Sequence, residues 1–333
     1  MSKKKYDVYA IGNALVDYEI DVDDAFLAEH KVEKSLMTLV DAERQSELID
    51  AVKGHIKEKQ GGGSAANTIV AVSKLGGNGY YSCKVANDDD GQVFLNDLHD
   101  NGLDTNLDKG ALPDGITGKC LVMVSPDAER TMNTYLGITS DFSVNEIDES
   151  ALTNSEYLFI EGYLVTSPTG LEAMKQAKKL AEENGVKVSL TFSDPSMVKY
   201  FRDQMTEVVG ASVDLLFCNE EEAMLYTGKD TVEEAREELK KAAKRFVITQ
   251  GKNGAMIYDG DTFIDIEPYT VKAVDSNGAG DMFSGVFLYA ITNGHNYASA
   301  GKLASKAASE VVAKYGPRLT FHRLQEIKNE VLG

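Results

Sequence analysis

At 333 residues, 43% of them hydrophobic and 26% charged, the chain can bury the core of one large α/β domain, alone or with a smaller appendage. No apolar run approaches the ~20 residues of a membrane span, and the stretch after the basic start Met1-Ser2-Lys3-Lys4-Lys5 is too short for a signal peptide, so no membrane role and a cytoplasmic location are expected. A net charge of −19 with no basic patch argues against nucleic acid, yet permits a nucleotide, whose phosphates can be held by backbone N–H groups at a helix start.

Residues 6–12 read as the first strand. Residues 17–40 alternate in the manner of strands, with no helix between them. A glycine cluster at 61–63 then opens a helix with apolar Ala65, Ile69 and Val72 and a Gly76-Gly77 ending. Alternation returns at 119–135. Segments 17–45 and 109–140 are therefore expected to form a β-rich lid over a core of 1–16, 46–108 and 141–333. In that core, apolar runs at 157–161, 186–191, 213–218 and 246–249 read as buried parallel strands, with helices at 170–183 and 232–243. Residues 254–268 suggest a hairpin turning at Asp259-Gly260-Asp261. From Asp281, apolar Phe283, Val286, Phe287, Ala290 and Ile291 mark one helix face, closed by Asn293-Gly294. Helices at 299–314, stopped by Gly316-Pro317, and at 324–331 complete the chain. Cys83, Cys120 and Cys218 sit far apart in apolar runs and read as buried reduced thiols. The five histidines have no metal-ligand spacing.

The segment Asp275-Ser276-Asn277-Gly278-Ala279-Gly280-Asp281 places glycines at the start of a strong helix and carboxylates at both ends. Glycine lets backbone approach a phosphate, and the N–H groups of a helix start can hold a transferring phosphoryl group. Asp281 could accept the proton of a hydroxyl attacking the γ-phosphate of ATP. A capped helix whose acidic first turn only complements the dipole fits the same residues equally well. The cluster Gly61-Gly62-Gly63-Ser64-Ala65-Ala66-Asn67 has neither a Walker ending nor the buried strand of a dinucleotide fingerprint. Alone, it is a loop-to-helix turn or a site where backbone approaches a polyol.

Taken in order, Gly62-Gly63-Ser64-Ala65-Ala66-Asn67, Leu75-Gly76-Gly77 and Val85-Ala86-Asn87-Asp88-Asp89-Asp90-Gly91 resemble the first motif of the PfkB (ribokinase-like) carbohydrate and nucleoside kinases. Residues 275–281 resemble the second, with Ser276-Asn277 in place of the usual Thr and small or polar residue. The resemblance implies a ribokinase-like α/β fold: a mainly parallel sheet flanked by helices, under a small β-rich lid. It implies an ATP-dependent kinase with Asp281 as base and Gly278, Ala279 and Gly280 as anion hole. Asp17, Gly63 and Asn67 would hold substrate hydroxyls. Asn219, Glu222, Thr249, Gly251 and Asp275 would serve the nucleotide, with Glu222 placing Mg2+ through water. Without the resemblance, Glu220-Glu221-Glu222 reads as a solvated helix start and the stretch after Thr249 as an ordinary turn. Arg130 reads either as a phosphate clamp carried by the lid or as a surface arginine beside Glu129.

Within the family, Gly12-Asn13-Ala14-Leu15-Val16-Asp17, the run 130–137 and the run 161–168 resemble the adenosine-kinase-like branch. Tyr163 could stack on a base or simply pack. A purine nucleoside phosphorylated at its 5′-hydroxyl is the leading expectation, a sugar such as ribose, fructose or 2-keto-3-deoxygluconate the alternative, and a non-catalytic nucleoside or sugar sensor the third. Parts of the family are activated by a monovalent cation. A free strand edge on the lid would leave monomer and homodimer both open.

Overall fold

The computed structural model describes residues 4–127 and 129–333. Its strands are β1 (Tyr6–Ile11), β2 (Leu15–Asp21), β3 (Met37–Leu39), β4 (Ile56–Gly62), β5 (Gly79–Ser82), β6 (Asp104–Thr105), β7 (Gly118–Val124), β8 (Arg130–Tyr135), β9 (Ser155–Glu161), β10 (Lys187–Thr191), β11 (Leu215–Asn219), β12 (Phe246–Thr249), β13 (Ala255–Tyr258) and β14 (Phe263–Ile266). Nine form one sheet in the order β14-β13-β12-β11-β10-β9-β1-β5-β6. Every pairing from β12 to β6 is parallel, and the hairpin β13–β14 adds an antiparallel edge.

Burial on both faces explains the continuous apolar runs. Val8 and Ala10 of β1, with Leu215 and Phe217 of β11, join the core under helices Ser64–Lys74, Ala279–Thr292 and Tyr297–Val312. Their neighbours Tyr9, Ile11, Leu216 and Cys218 join a second core under helix Pro168–Glu183. Cys83, Cys120 and Cys218 are buried and free.

The small sheet runs β3-β8-β7-β2-β4 and mixes parallel with antiparallel pairs. Its period-2 pattern separates two faces. Val16, Tyr18, Ile20, Leu121 and Met123 pack with Leu48 and Val52 of helix Ala42–Val52, while Leu15, Asp17, Cys120 and Val122 face the opposite way, into a cavity. Two expectations are corrected. β4, assigned to the core segment 46–108, pairs with β2 in the small sheet because its backbone completes that edge. A short helix, Asp24–Glu29, capped by the Asp23 carboxylate, interrupts 17–40. No helix among the described residues is long and apolar enough to cross a membrane.

Candidate active site

The parallel strands end in one crevice, the usual place for a ligand in an open α/β sheet. Asn13 follows β1, while Glu161, Thr191, Asn219 and Thr249 close β9, β10, β11 and β12. All five border a cavity of about 460 Å³ that the inner face of the small sheet roofs.

Helix Ala279–Thr292 delivers Asp281 to this cavity. Gly278, in the left-handed region at φ 75°, caps the helix with no side-chain hydrogen bond. The other long helices among the described residues begin with a capping side chain, except Ser64–Lys74, which starts at Gly63. There the Glu161 carboxylate substitutes, accepting from Ala65 N at 2.8 Å. The start of Ala279–Thr292 thus presents its positive dipole end to the cavity without a side-chain cap. Gly278 and Gly280 border the space and Ala279 does not; its amide donates to the Ser276 carbonyl at 3.3 Å.

Asp281 is half-buried and oriented by the neighbouring helix. Ser64 Oγ donates to its Oδ1 at 2.6 Å and Asn67 Nδ2 to its Oδ2 at 3.1 Å. Thr68 Oγ1 donates to the Asp281 carbonyl at 3.3 Å. Gly285 permits this approach, since a Cβ there would lie 2.3 Å from the Thr68 carbonyl oxygen. Burial raises the Asp281 pKa, opposed by Ser64, Asn67 and the charge of Arg318.

Asp17, Gly63, Asn67 and Tyr163 all border the same cavity. Burial pushes Asp17 up to about 7 against the pull of Arg318 and Arg130. Glu161, a carboxylate that sequence reasoning passed over, accepts from Asn13 N (3.2 Å), Asn13 Nδ2 (3.0 Å) and Ala65 N (2.8 Å). Burial pushes it too up to about 7.

Asn219, Glu222 and Thr249 border the cavity with Asp194. Asn219 and Glu222 form a capping box: Glu222 accepts from Asn219 N (2.9 Å) and Nδ2 (3.0 Å), while Asn219 Oδ1 accepts from Glu222 N (2.8 Å). Glu222 is buried, which pushes its carboxyl up to about 7. Gly251 lies outside the cavity, at the start of the short helix Gly251–Asn253.

Arg130 and Asp275 also lie outside the cavity lining. The Arg130 guanidinium of β8 meets Asp275 at 3.2 Å, with both side chains nearly buried, so this arginine is neither exposed nor paired with Glu129. Asp275 further accepts from Asn277 N and Gly316 N. Arg318, to which the sequence reading gave no role, donates Nε to Asn67 Oδ1 (2.8 Å) and Nη1 to Asp97 Oδ2 (2.7 Å).

The model of the pfkB family carbohydrate kinases matches residues 32–323. The chain belongs to this family. Among solved structures, this PfkB chain is similar to a "probable sugar kinase" of Rhizobium etli, with 31% identity, a TM-score of 0.88 and 98% of each chain covered. It is also similar to an adenosine kinase of Sinorhizobium meliloti, at 30% identity and a TM-score of 0.87, over 98% of this chain and 99% of that one. A 5-dehydro-2-deoxygluconokinase of Clostridium perfringens is 27% identical over 80% of this chain and 82% of its own. The structural similarity to this PfkB chain covers 98% of it and so takes in both sheets.

Proposed function

We propose that this PfkB kinase transfers the γ-phosphate of ATP to the 5′-hydroxyl of adenosine or a related purine nucleoside. The amphipathic cavity carries the choice of acceptor. Its floor holds Asn13, Asn67 and Asp281, whereas the roof offers Asp17 and Thr134 amid a larger apolar surface of Met37, Leu39, Val122, Met132 and Leu136. A free sugar carries hydroxyls all round and would leave them unpaired against such a roof. A nucleoside divides as the cavity does, into a polar ribose and a flat base that aliphatic and thioether groups, with Tyr163 nearby, can cover.

Asp281, held by Ser64 and Asn67, takes the proton of the attacking hydroxyl. Its raised pKa makes the carboxylate a stronger proton acceptor, although the loose transition state asks for little early deprotonation. The open amides at Gly278 and Gly280 hold the oxygens of the transferring group, and Asp17 and Asn67 orient ribose hydroxyls. Thr249 and Asn219 serve the nucleotide side. No group of three His, Cys, Asp or Glu side chains among the described residues could cage a metal, which fits a Mg2+ that arrives with the phosphates and meets Glu222 through water. The ion supplies neutralisation of phosphate charge. Arg130, paired with Asp275, ties the roof to the loop that leads into the anion hole.

Asp17 and Asn67 would serve free ribose as well, and the sugar-kinase names among the relatives keep a sugar acceptor as the second reading. ADP release by wild type and Asp281→Asn decides between them, with adenosine, inosine, guanosine, ribose, fructose and 2-keto-3-deoxygluconate as acceptors. Turnover with a purine nucleoside, lowered ~10²–10⁴-fold in the variant, is expected. Turnover with sugars alone establishes the second reading. Nucleoside or sugar binding without turnover establishes a sensor.

A further inference from the structure

The loop after helix Tyr297–Val312 is organised around one ammonium group. Lys314 Nζ donates to the carbonyl oxygens of Tyr315 (2.7 Å), Gly316 (3.3 Å) and Arg318 (2.8 Å). An ammonium has three N–H donors, so all three are spent on carbonyls of one loop and none on a carboxylate. Burial and the charge of Arg130 lower the Lys314 pKa, while Asp275, Glu19 and Glu58 favour its charge. Carbonyl oxygens turned inward replace the hydration shell of a monovalent cation in the same manner.

The loop so held reaches both the anion hole and, through Asn67, the base. Gly316 N donates to Asp275 Oδ2 at 3.2 Å. Pro317 fills the space beside Gly278, where an added Cβ would lie 2.3 Å from the proline Cβ. Arg318 fixes Asn67, and Asn67 donates to Asp281. Anion hole and base are therefore placed from one loop, whose inward carbonyl dipoles repel one another unless a cation sits among them.

We propose that Lys314 is a positioning residue for phosphoryl transfer, its ammonium serving as a tethered monovalent cation that fixes residues 314–318 and makes turnover independent of added potassium. This deepens the kinase reading above and rests on it. Wild type and Lys314→Ala are assayed and melted in choline chloride, then with potassium or ammonium chloride at the same ionic strength. Wild type is expected to behave alike in all three salts. The variant in choline is expected to lose ~10²-fold in kcat with acceptor KM little changed, and to regain both kcat and melting temperature, saturably, with potassium or ammonium. Lys314→Met, which fills the space the ion would need, is expected to share the loss without the recovery. Full activity of Lys314→Ala in choline, a loss that no cation relieves, or potassium dependence of the wild type overturns the proposal. Should Lys314→Ala be unfolded in choline, folding on addition of potassium supports the proposal and its absence overturns it. The melting arm needs no acceptor, so it stands apart from any failure of the kinase reading.

Discussion

Glu161 shows how a single carboxylate can tie two segments of this site together. Three donors converge on it, two from Asn13 after β1 and one from Ala65 in the first turn of helix Ser64–Lys74. It therefore completes a helix start that has no capping side chain of its own, and holds both segments that flank the proposed acceptor position. Glu161→Gln places an NH2 among groups that are themselves donors, and at least one of them loses its acceptor. Leaving a buried donor unpaired costs about 1–3 kcal/mol, so equilibrium urea unfolding is expected to show a loss of that size with an unchanged m-value. Glu161→Gln should also disturb Asn67 and Ser64 through the displaced helix start, lowering kcat. An unchanged unfolding midpoint would show that these donors find other partners.

At the scale of elements, the distance between two helices decides whether the base meets its partners. Gly285 lies one turn beyond Asp281, where an added Cβ would be 2.3 Å from the Thr68 backbone oxygen. Backbone cannot yield as a flexible side chain can, so Gly285→Ala must push helix Ala279–Thr292 away from Ser64–Lys74. Overpacking of this kind costs about 1–3 kcal/mol, and it lengthens the Ser64 and Asn67 contacts to Asp281. A fall in kcat of ~10²-fold, with nucleotide KM retained, is expected from steady-state kinetics. The same elements show what the sequence made legible. The parallel strands stood out because burial on both faces demands uninterrupted apolar residues, whereas Asp281 with Gly278 was singled out by resemblance to the family's second motif, since a capped helix fits those residues equally well. β4 was illegible as part of the small sheet: it is an edge strand carrying Lys57, Glu58 and Lys59, charges that protect an edge from mispairing and erase the alternation. Helix Asp24–Glu29 is too short for a periodic signal. Glu161 and Arg318 acquire their positions only through partners 96–251 residues away, a separation no local pattern records. Arg130 lies in β8 of the small sheet, whereas its partner Asp275 lies in the stretch between β14 and helix Ala279–Thr292.

For the molecule as a whole, the site concentrates acidity that an already acidic chain must tolerate. Asp17, Glu161, Glu222 and Asp281 are enclosed about one cavity, in a protein of net charge −19. Arg318 and Arg130 are the cations that oppose Asp17. Burial pushes Asp17, Glu161 and Glu222 each up to about 7, against roughly 4 in an unfolded chain. A folded-state pKa above the unfolded one means that the native state holds the proton more tightly. The stability each group contributes is then full below about pH 4 and is lost as pH rises through about 7. Carboxylates whose pKa is depressed, such as Glu310 between Arg323 and Lys306, held down at about 2, act with the opposite sign but finish their change below pH 5. The window from pH 5 to 8 therefore belongs to the buried cluster. Differential scanning calorimetry of the ligand-free protein is expected to show a melting temperature that falls by several degrees from pH 5 to pH 8. Asp17→Asn, which cannot ionise, should flatten that slope while raising the melting temperature at pH 8. An equal slope in wild type and variant would mean that Asp17 ionises at no net cost beside its two arginines, and the pH sensitivity would then rest with Glu161 and Glu222.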